Sequence, residues 1–492
     1  MRCPRLVLAA LCVAGSGCNS NSTTSEPSAG PLALAVFSGN QQTAVISSAL
    51  ATPLTVTVLD SSQAPVAGAS VSWAVTGGGG HVAPATSISD ANGRASTIFT
   101  LGAVLGAQTV TASVPRGTGT VTFTATAIPD VPPPVALTLI ASVPTPSGAT
   151  FDHDTFVRDG LAFAFMWNAG VRIYDVGNGM MGGSPAHPVL VSSLITNTNG
   201  VPGGAQVHNG WWFHNPVTQE SRYLFIGQEG SCPSIGTCSI GDIHIVDVSD
   251  LTHPVEVGFI HIPGAGTHNF WMDEANQTLY AAYYNAGVVK IDVSGTLSGD
   301  MSSRIVKQVQ PGGPGNTYVW GVMLSGGTLY ATDMLSGFWA LDPQTLATRG
   351  GGNNVPERFG SDQWVSGNIA YSGTWGTRLA RGDAVKIWSL GEAGTPALAD
   401  SLIIPNIGTV SDLAVTPDGK ALVVTAEGGS GNGLYVYDRS NPLKPALAGF
   451  YSVPVGLHTG EVAVINGRTY VFAARDPNQQ EMDVFDITGV VP

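Results

Sequence analysis

The chain has 492 residues, more than one hydrophobic core usually serves, so we expect two or more folding units. Glycine occurs 63 times, charged residues make up only 11% of the chain, and no long amphipathic segment appears, which favours short strands and tight turns over helices. The formal net charge of -14, without a cluster of Lys and Arg, argues against nucleic acid as a partner.

The first 18 residues have the features of an export signal. Two arginines precede an apolar run that is too short for a permanent membrane anchor. The following "AGSGC", which ends at Cys18, resembles a bacterial lipobox, in which the cysteine carries lipid after cleavage. Gly15 stands where that motif prefers an aliphatic residue, so ordinary cleavage near Ser16 is the alternative. We therefore expect residues 1–18 to be a lipoprotein-like signal peptide and the small, polar residues 19–30 to be a flexible tether.

Residues 31–128 alternate apolar and polar positions in runs such as "LTVTVLD" and "QTVTASV", separated by turn residues. This alternation predicts an antiparallel β-sandwich. The stretches "PVAGASVSWAVTGGGG" and "SDANGRASTIFTLG" resemble the bacterial Ig-like domains of the invasin and intimin type. The resemblance implies that Val71 and Trp73 face the core and that Asp90 and Gly93 form a hairpin turn, and it points to no catalytic candidate in this unit.

A proline-rich linker, "PDVPPP" at residues 129–134, precedes a repetitive region at 135–492. Each repeat has an inner strand, a second strand and a third strand that ends in Asp, as in "HNFWMDEANQTLYAAYYNAGVVKIDVSG". Seven such repeats predict an all-β, seven-bladed β-propeller. The last repeat lacks an outer strand, and "PVALTLIASVPTPSG" after the linker has that pattern with no blade before it. We expect these N- and C-terminal strands to pair and close the ring.

The segments "HIVDVSDLTHPVEVGFIHIPG" and "GLYVYDRSNPLKPALAGFYSVP" resemble the LVIVD-repeat propellers of bacterial surface and exported proteins. In that family the inner strand often opens with a His-Asp pair. The equivalent positions here are His153-Asp154, His208-Asn209, His268-Asn269, Ser361-Asp362 and Ser411-Asp412. Because the position recurs even where the histidine is lost, we expect His268 to be a scaffold residue whose side chain hydrogen-bonds between blades.

The placement of these histidines in a propeller gives a second interpretation. Inner strands start at the central channel, on the same side as the loops between second and third strands, so both groups meet at one mouth. Those loops contribute candidate pocket residues, for which edge packing is the alternative role: Trp167, Asn168, Gln228, Glu229, Tyr284, Asn285, Asp333, Trp375, Glu427, and Arg475 with Asp476. The candidate metal ligands near the axis are His153, His208, His268 and His458. With a carboxylate such as Glu461 they form a donor set suited to Zn, Cu or Fe, whereas His214 is expected at the opposite end.

Cys232 and Cys238, in "GSCPSIGTCS", are the cysteines that lie outside the signal region. A pair this close in an exported chain, around Pro and Gly, predicts a disulfide that closes a small loop. A metal thiolate pair is the alternative, although neither a second cysteine pair nor a nearby histidine supports it.

The sequence therefore predicts an exported protein, lipid-anchored at the bacterial outer membrane or cell surface, whose Ig-like stalk presents a propeller for binding. A surface polysaccharide, a peptide or another envelope protein would each suit an aromatic-lined mouth. The alternative is a metal-dependent enzyme that uses the axial histidines. We predict no catalytic residue and no cofactor other than that transition metal, since the sequence has no phosphate-binding loop, nucleophile motif or HExxH helix.

Overall fold

The computed structural model describes residues 30–128, 134–197, 205–230, 235–352, 358–377, 379–475 and 479–492. Within these ranges it consists of strands and two short 3-10 turns, Ser302–Arg304 and Glu392–Gly394, without an α-helix. The chain divides into two compact units, Met1–Val131 and Pro132–Pro492. The predicted signal peptide with Cys18, most of the predicted tether and most of the predicted linker lie outside the described residues.

The first unit is a sandwich of two β-sheets. Its strands are β1 (Ala33–Ser38), β2 (Gln42–Val45), β3 (Leu54–Leu59), β4 (Ser70–Gly77), β5 (Gly80–Ala83), β6 (Thr86–Ile88), β7 (Arg94–Leu101), β8 (Gly106–Ser113) and β9 (Val121–Ile128). One sheet has the order β1-β3-β7-β5 and the other β2-β9-β8-β4-β6. Val71 and Trp73 are buried in the core between them, as predicted, and the Trp73 indole donates to Ser87 Oγ at 2.9 Å.

The hairpin turn before β7 is formed by the residues that the sequence indicated. Asp90 Oδ1 accepts hydrogen bonds from the backbone N–H groups of Asn92 at 2.8 Å and Arg94 at 2.9 Å. Gly93 has a φ of +73°, and a Cβ there would lie 2.8 Å from Val58 O. The turn therefore requires glycine at this position, both for its conformation and for its close approach to a neighbouring strand.

The second unit is built from the remaining strands. In chain order they are β10 (Val135–Ala136), β11 (Thr138–Pro144), β12 (Asp154–Arg158), β13 (Leu161–Phe165), β14 (Val171–Asp175), β15 (Val189–Leu194), β16 (Val207–Phe213), β17 (Tyr223–Gln228), β18 (Ile243–Asp247), β19 (Val255–Ile260), β20 (Phe270–Asp273), β21 (Thr278–Tyr283), β22 (Gly287–Asp292), β23 (Gly299–Asp300), β24 (Ile305–Val309), β25 (Val319–Ser325), β26 (Thr328–Asp333), β27 (Gly337–Leu341), β28 (Thr348–Gly351), β29 (Phe359–Ser366), β30 (Ile369–Trp375), β31 (Ala384–Leu390), β32 (Pro396–Ile403), β33 (Thr409–Val415), β34 (Ala421–Glu427), β35 (Gly433–Asp438), β36 (Ala446–Ser452), β37 (Thr459–Ile465), β38 (Arg468–Ala474) and β39 (Glu481–Asp486).

The described residues of this unit form seven sheets, as many as the repeats in the sequence, and each sheet is built on four antiparallel strands. In two of them a short fifth strand pairs parallel with the outermost strand, β23 with β19 and β10 with β36. From the innermost strand outward, the blades are one (β12, β13, β14, β15), two (β16, β17, β18, β19), three (β20, β21, β22, β24), four (β25, β26, β27, β28), five (β29, β30, β31, β32), six (β33, β34, β35, β36) and seven (β37, β38, β39, β11). The innermost strands contact one another in this order, and β37 of blade seven contacts β12 of blade one. The ring is therefore closed, and the predicted all-β fold of a sandwich followed by a propeller is confirmed.

Each blade is covered on both faces by its neighbours, which explains the composition of the second strands. β21, with the sequence "TLYAAY", is buried at every position. An antiparallel strand with one solvated face would alternate apolar and polar residues, whereas these strands are apolar on both faces. The packing between blades is therefore the hydrophobic core of the propeller.

The ring is closed by strands from the two ends of the unit, as the sequence predicts. β11 pairs antiparallel with β39, in a register that places Ser142 opposite Asp483. The Ser142 hydroxyl also donates to Asp483 Oδ1 at 2.6 Å. Blade seven therefore takes three strands from the end of the chain and its outermost strand from the beginning of the unit.

This register predicts a specific covalent cross-link. In the double variant Ser142→Cys with Asp483→Cys, a disulfide should form, because directly opposed residues in an antiparallel pair lie within reach of one. Peptide mapping of the non-reduced protein by mass spectrometry should recover the linked peptides. The control is Ser142→Cys with Val484→Cys, whose side chains leave opposite faces of the sheet. Equal cross-linking in the two variants would contradict the register.

Candidate functional site

The innermost strands bring equivalent positions of different blades to one axis. In blades two, four, five and six the ladder between innermost and second strands has a register shift near the strand start, for example between Val207 and Asn209 and between Val319 and Gly321. A β-bulge of this kind turns the extra residue out of the regular alternation. His208 and Trp320 occupy the two bulges named here, which explains how these large rings reach the axis.

Six aromatic rings form a closed circle around this end of the axis. The order is His153, His208, His268, Trp320, Trp375 and His458. Neighbouring ring centroids are 4.0 Å apart at the closest pair, His208 and His268, and 5.9 Å apart at the widest, Trp375 and His458. The structure therefore brings the four predicted histidines together.

Two glutamates at the ends of second strands reach the imidazoles: Glu229 directly follows β17, and Glu427 is the last residue of β34. Glu229 Oε2 lies 3.8 Å from His153 Nε2 and 3.7 Å from His208 Nε2. Its other oxygen, Oε1, accepts a short hydrogen bond from the Tyr284 hydroxyl. On another side of the circle, Glu427 Oε1 lies 3.2 Å from His458 Nδ1. Each carboxylate is thus held in contact with an axial imidazole.

The imidazoles are buried without their full set of hydrogen bonds. Nδ1 of His153, both ring nitrogens of His208 and Nδ1 of His268 find no hydrogen-bond partner among the described residues. A buried polar group left unpaired costs about 1 to 3 kcal/mol, so a bound group that pairs with these nitrogens would be favourable here.

Burial also sets the charge of these histidines. Desolvation, followed by repulsion from His458, lowers the pKa of His208 to about 3. Desolvation also lowers the pKa of His153 and His268 well below the usual value, with neighbouring histidines adding to the shift. All three imidazoles are therefore neutral at pH 7, the form in which histidine binds metal ions.

A cavity of about 260 Å³ opens beside the circle. The residues that line it are His153, Glu229, His268, Trp320, Trp375, Glu427 and His458. Trp167 and Tyr284 lie just behind this lining, with Trp167 stacked on His153 at 4.9 Å and Tyr284 edge-on to His268 at 5.2 Å. The cavity therefore has one wall of nitrogen and oxygen donors and another of indole rings.

The remaining candidate pocket residues have local structural contacts instead. Asp333 Oδ1 accepts from the backbone N–H groups of Leu335 and Ser336 in its own turn and from that of Tyr318 before β25. Arg475 pairs with Asp483 at 2.6 Å. Gln228 accepts from a buried backbone N–H group. Asn168 and Asn285 bond to neighbouring loops. Asp476 lies in residues 476–478 and Cys232 in residues 231–234, both outside the described residues. The predicted disulfide between Cys232 and Cys238 therefore stays a prediction.

The predicted scaffold role of His268 is only partly supported. We expected its side chain to hydrogen-bond between blades, yet Nδ1 has no partner in the described part of the chain. A hydrogen bond from the ring to the backbone of Trp320, in the next blade, supports the predicted role. The ring also packs at 4.2 Å against the Trp320 indole, and Asn269 N–H donates to Trp320 O at 3.3 Å. His268 therefore joins two neighbouring blades.

A second layer of polar residues lies one step farther along the innermost strands. Its acidic members, Asp154, Asp362, Asp412 and Glu461, line a channel of about 190 Å³. Burial, and then repulsion from Asp412, raises the pKa of Asp154 to about 7. Burial raises the pKa of Glu461 to about 8, with further contributions from Asp154 and Asp412. Glu461 lines this channel rather than the histidine cavity, so the carboxylate that meets His153 and His208 is Glu229.

The far end of the channel is aromatic. Phe156, Trp211, Trp271 and Trp364 follow one another with centroids 5.2 to 6.4 Å apart. His214 lies at this end, where its backbone N–H donates to Glu274 at 3.1 Å, so its predicted separation from the axial histidines agrees with the structure. These four rings were not among the predicted site residues, although "GWWF" and "NFWMD" place Trp at one repeat position and indicate that the position is aromatic.

Family models and a solved structure match this architecture. Residues 35–128 match the model of the bacterial Ig-like domain (group 1), and residues 239–261 match that of the LVIVD repeat. A chain of the crystal structure of the mitotic checkpoint complex, a WD40-type propeller, is 13% identical, with a TM-score of 0.51 over 73% of this chain and 98% of that chain. That likeness shows the fold alone. A comparison with curated proteins found no match.

The two matched domains together indicate a surface or binding protein, because bacterial Ig-like domains of this group occur in bacterial surface proteins. In the part of the chain that the structure describes, no helix is long and apolar enough to cross a membrane.

The acidic layer predicts a pH-dependent stability. The pKa of Glu461 is about 8 in the folded protein and about 4 in the unfolded chain. Between these two pH values the folded protein therefore carries a proton on Glu461 that the unfolded chain has released. Over that interval the free energy of unfolding must fall as pH rises. The Gln side chain has no ionisable proton, so Glu461→Gln should not show this fall. Its free energy of unfolding minus that of the wild type should therefore be larger at pH 8 than at pH 5, by about 1 to 3 kcal/mol.

Denaturant titrations at the two pH values measure this difference. Glu392→Gln, at an exposed position, is the control and should show the same difference from the wild type at both. A Glu461→Gln difference that does not change with pH would show that the carboxyl group is ionised in the folded protein throughout.

Proposed function

We propose that this protein is exported, anchored to the bacterial surface through lipid on Cys18, and binds a ligand in the axial cavity of its propeller. Export and anchoring are supported by the signal-like sequence and the lipobox resemblance at Cys18. A surface location is supported by the match of residues 35–128 to the bacterial Ig-like domain (group 1).

The observation that carries the binding role is the state of the cavity wall. A propeller axis filled for stability alone would be lined by apolar side chains or by polar groups that satisfy one another. Here buried imidazole nitrogens are left unpaired beside two carboxylates, next to a space of about 260 Å³. A ligand with matching polar groups would satisfy these atoms, which explains their presence in an otherwise apolar ring.

Lipid anchoring is tested by replacing Cys18. Wild-type protein should incorporate an alkyne fatty acid and partition with membranes, whereas Cys18→Ser should do neither, because the thioether to the lipid requires that sulfur. Cys12→Ser, in the apolar part of the same signal, is the matched control and should label like the wild type. Undiminished labelling of Cys18→Ser would refute the lipid anchor.

Surface display is tested separately on intact cells. A membrane-impermeant biotin reagent should modify lysines of the propeller, such as Lys307 and Lys444, without cell lysis. The same reagent should leave a cytoplasmic marker protein unmodified. Labelling that appears only after lysis would place the propeller inside the envelope and would contradict the surface role.

A further inference from the structure

We propose that His153, His208 and Glu229 bind one divalent transition metal ion of the Zn, Cu or Ni type. The proposal rests on the proposed function in one respect: it names the class of ligand that the axial cavity takes. Within the described residues, these three are the group of His, Cys, Asp or Glu side chains whose ligand atoms all lie within 4.8 Å of one another.

The distances are close to those of a bound ion. Glu229 Oε2 lies 3.8 Å from His153 Nε2 and 3.7 Å from His208 Nε2. Two ligand atoms that each lie about 2.1 Å from a tetrahedral zinc ion are about 3.4 Å apart. The two distances to Glu229 therefore exceed the expected value by only a few tenths of an ångström, and the two imidazole nitrogens lie within 4.8 Å of each other.

The donor chemistry selects the class of metal. Two imidazoles and one carboxylate suit Zn, Cu, Ni and Fe, whereas Ca²⁺ and Mg²⁺ prefer sites made of oxygen ligands alone. His208 is 1% exposed, and its Nε2 lies 3.7 Å from Glu229 Oε2, which is longer than a hydrogen bond. A metal ion between these two atoms would bind both of them and would satisfy a nitrogen that is buried away from water.

The surroundings orient the ligands as metal sites require. The Tyr284 hydroxyl donates to the second oxygen of Glu229, which fixes the carboxylate and turns Oε2 toward the imidazoles. His458 is oriented in turn by Glu427 at 3.2 Å. The rings of His458 and His268 pack at 4.3 Å and 4.0 Å on those of His153 and His208.

Three protein ligands leave a further coordination position. Since His153 and Glu229 both line the cavity of about 260 Å³, that position faces this space and takes water or an exogenous ligand. Structural zinc sites are closed by four protein ligands, whereas sites that bind exogenous molecules keep one position open. The indoles of Trp320 and Trp375 would form the opposite wall for such a molecule.

The same unit contains a natural control for the site. His244 is fully buried, and its Nδ1 lies 2.9 Å from Glu256 Oε1. This pair repeats the chemistry of an imidazole beside a glutamate, but no third ligand group joins it within the described residues. Loss of metal binding on changing Glu229 but not Glu256 would therefore assign the effect to the three-ligand group.

The experiment measures Zn²⁺ binding by the purified full chain after treatment with a chelator. Competition with a chromophoric chelator should give about one Zn²⁺ per chain for the wild type, and Zn²⁺ should raise its melting temperature. Glu229→Gln and His208→Leu should each weaken Zn²⁺ binding by about a hundredfold or more, and Tyr284→Phe by about tenfold. Glu256→Gln and His214→Leu should bind like the wild type.

The melting temperature of the metal-free variants separates ligand loss from misfolding. Metal-free His208→Leu should melt at or above the wild-type temperature, because an apolar side chain replaces an unpaired buried imidazole. If it fails to fold, the nearly isosteric Glu229→Gln still decides the question. Absence of stoichiometric Zn²⁺ binding by the wild type, or binding that survives Glu229→Gln, would overturn the proposal. Either result is independent of the lipid-labelling and surface-display tests.

Discussion

The convergence of the innermost strands on one axis is the constraint on which the site depends. Residues that are more than fifty positions apart in the chain, such as His153, His208 and His268, have rings only 4.0 to 4.2 Å apart because each starts the innermost strand of its blade. No flexible loop has to bring them together. The closure of the ring by β11 and β39 extends the constraint to His458, which lies beside His153 although 304 residues separate the two along the chain.

The same convergence creates an energetic problem that the rest of the propeller must offset. The polar groups at this axis are costly to bury, since imidazoles with unpaired nitrogens and carboxyl groups with raised pKa values are packed into two successive layers. The apolar cores between blades provide the compensating stability. Stability given up at one buried polar cluster, in a fold that is otherwise well packed, is what a functional site is expected to show.

The sequence predicted where the axial histidines lie on their strands, but it did not predict which carboxylate and which tryptophan contact them. Recurrence of the His-Asp step located His153, His208 and His268, because a repeat position maps directly onto a place in the ring, and His458 was located as the residue that opens the last repeat. It did not locate Trp320, whose blade lacks the His-Asp step, and it suggested Glu461 where the structure has Glu229. Strand periodicity alone cannot show which residue a bulge turns toward the axis, and the bulges in blades two and four decide that.

The predicted pocket was also too broad for a physical reason. All the loops between second and third strands open on the same end, yet only side chains long enough and aimed inward reach the cavity. Glu229, Trp375 and Glu427 do so. Asp333 instead accepts backbone hydrogen bonds from its own turn and from Tyr318, and Arg475 pairs with Asp483. A short carboxylate after a strand favours local N–H groups, and this competition is set by loop geometry that a single sequence does not reveal.

The circle of rings is unequal on its two sides, and this asymmetry gives the cavity its chemical character. The histidines come from blades seven, one, two and three, which are consecutive once the ring is closed. On the opposite side blades five and six have Ser361 and Ser411 at the equivalent positions, and Trp375 from the end of a second strand extends into the space that these small residues leave. Nitrogen and oxygen donors therefore face an indole wall across one small cavity. A molecule bound there would meet polar donors on one side and an apolar, aromatic surface on the other, so the cavity favours ligands that combine a polar head with a flat or apolar body.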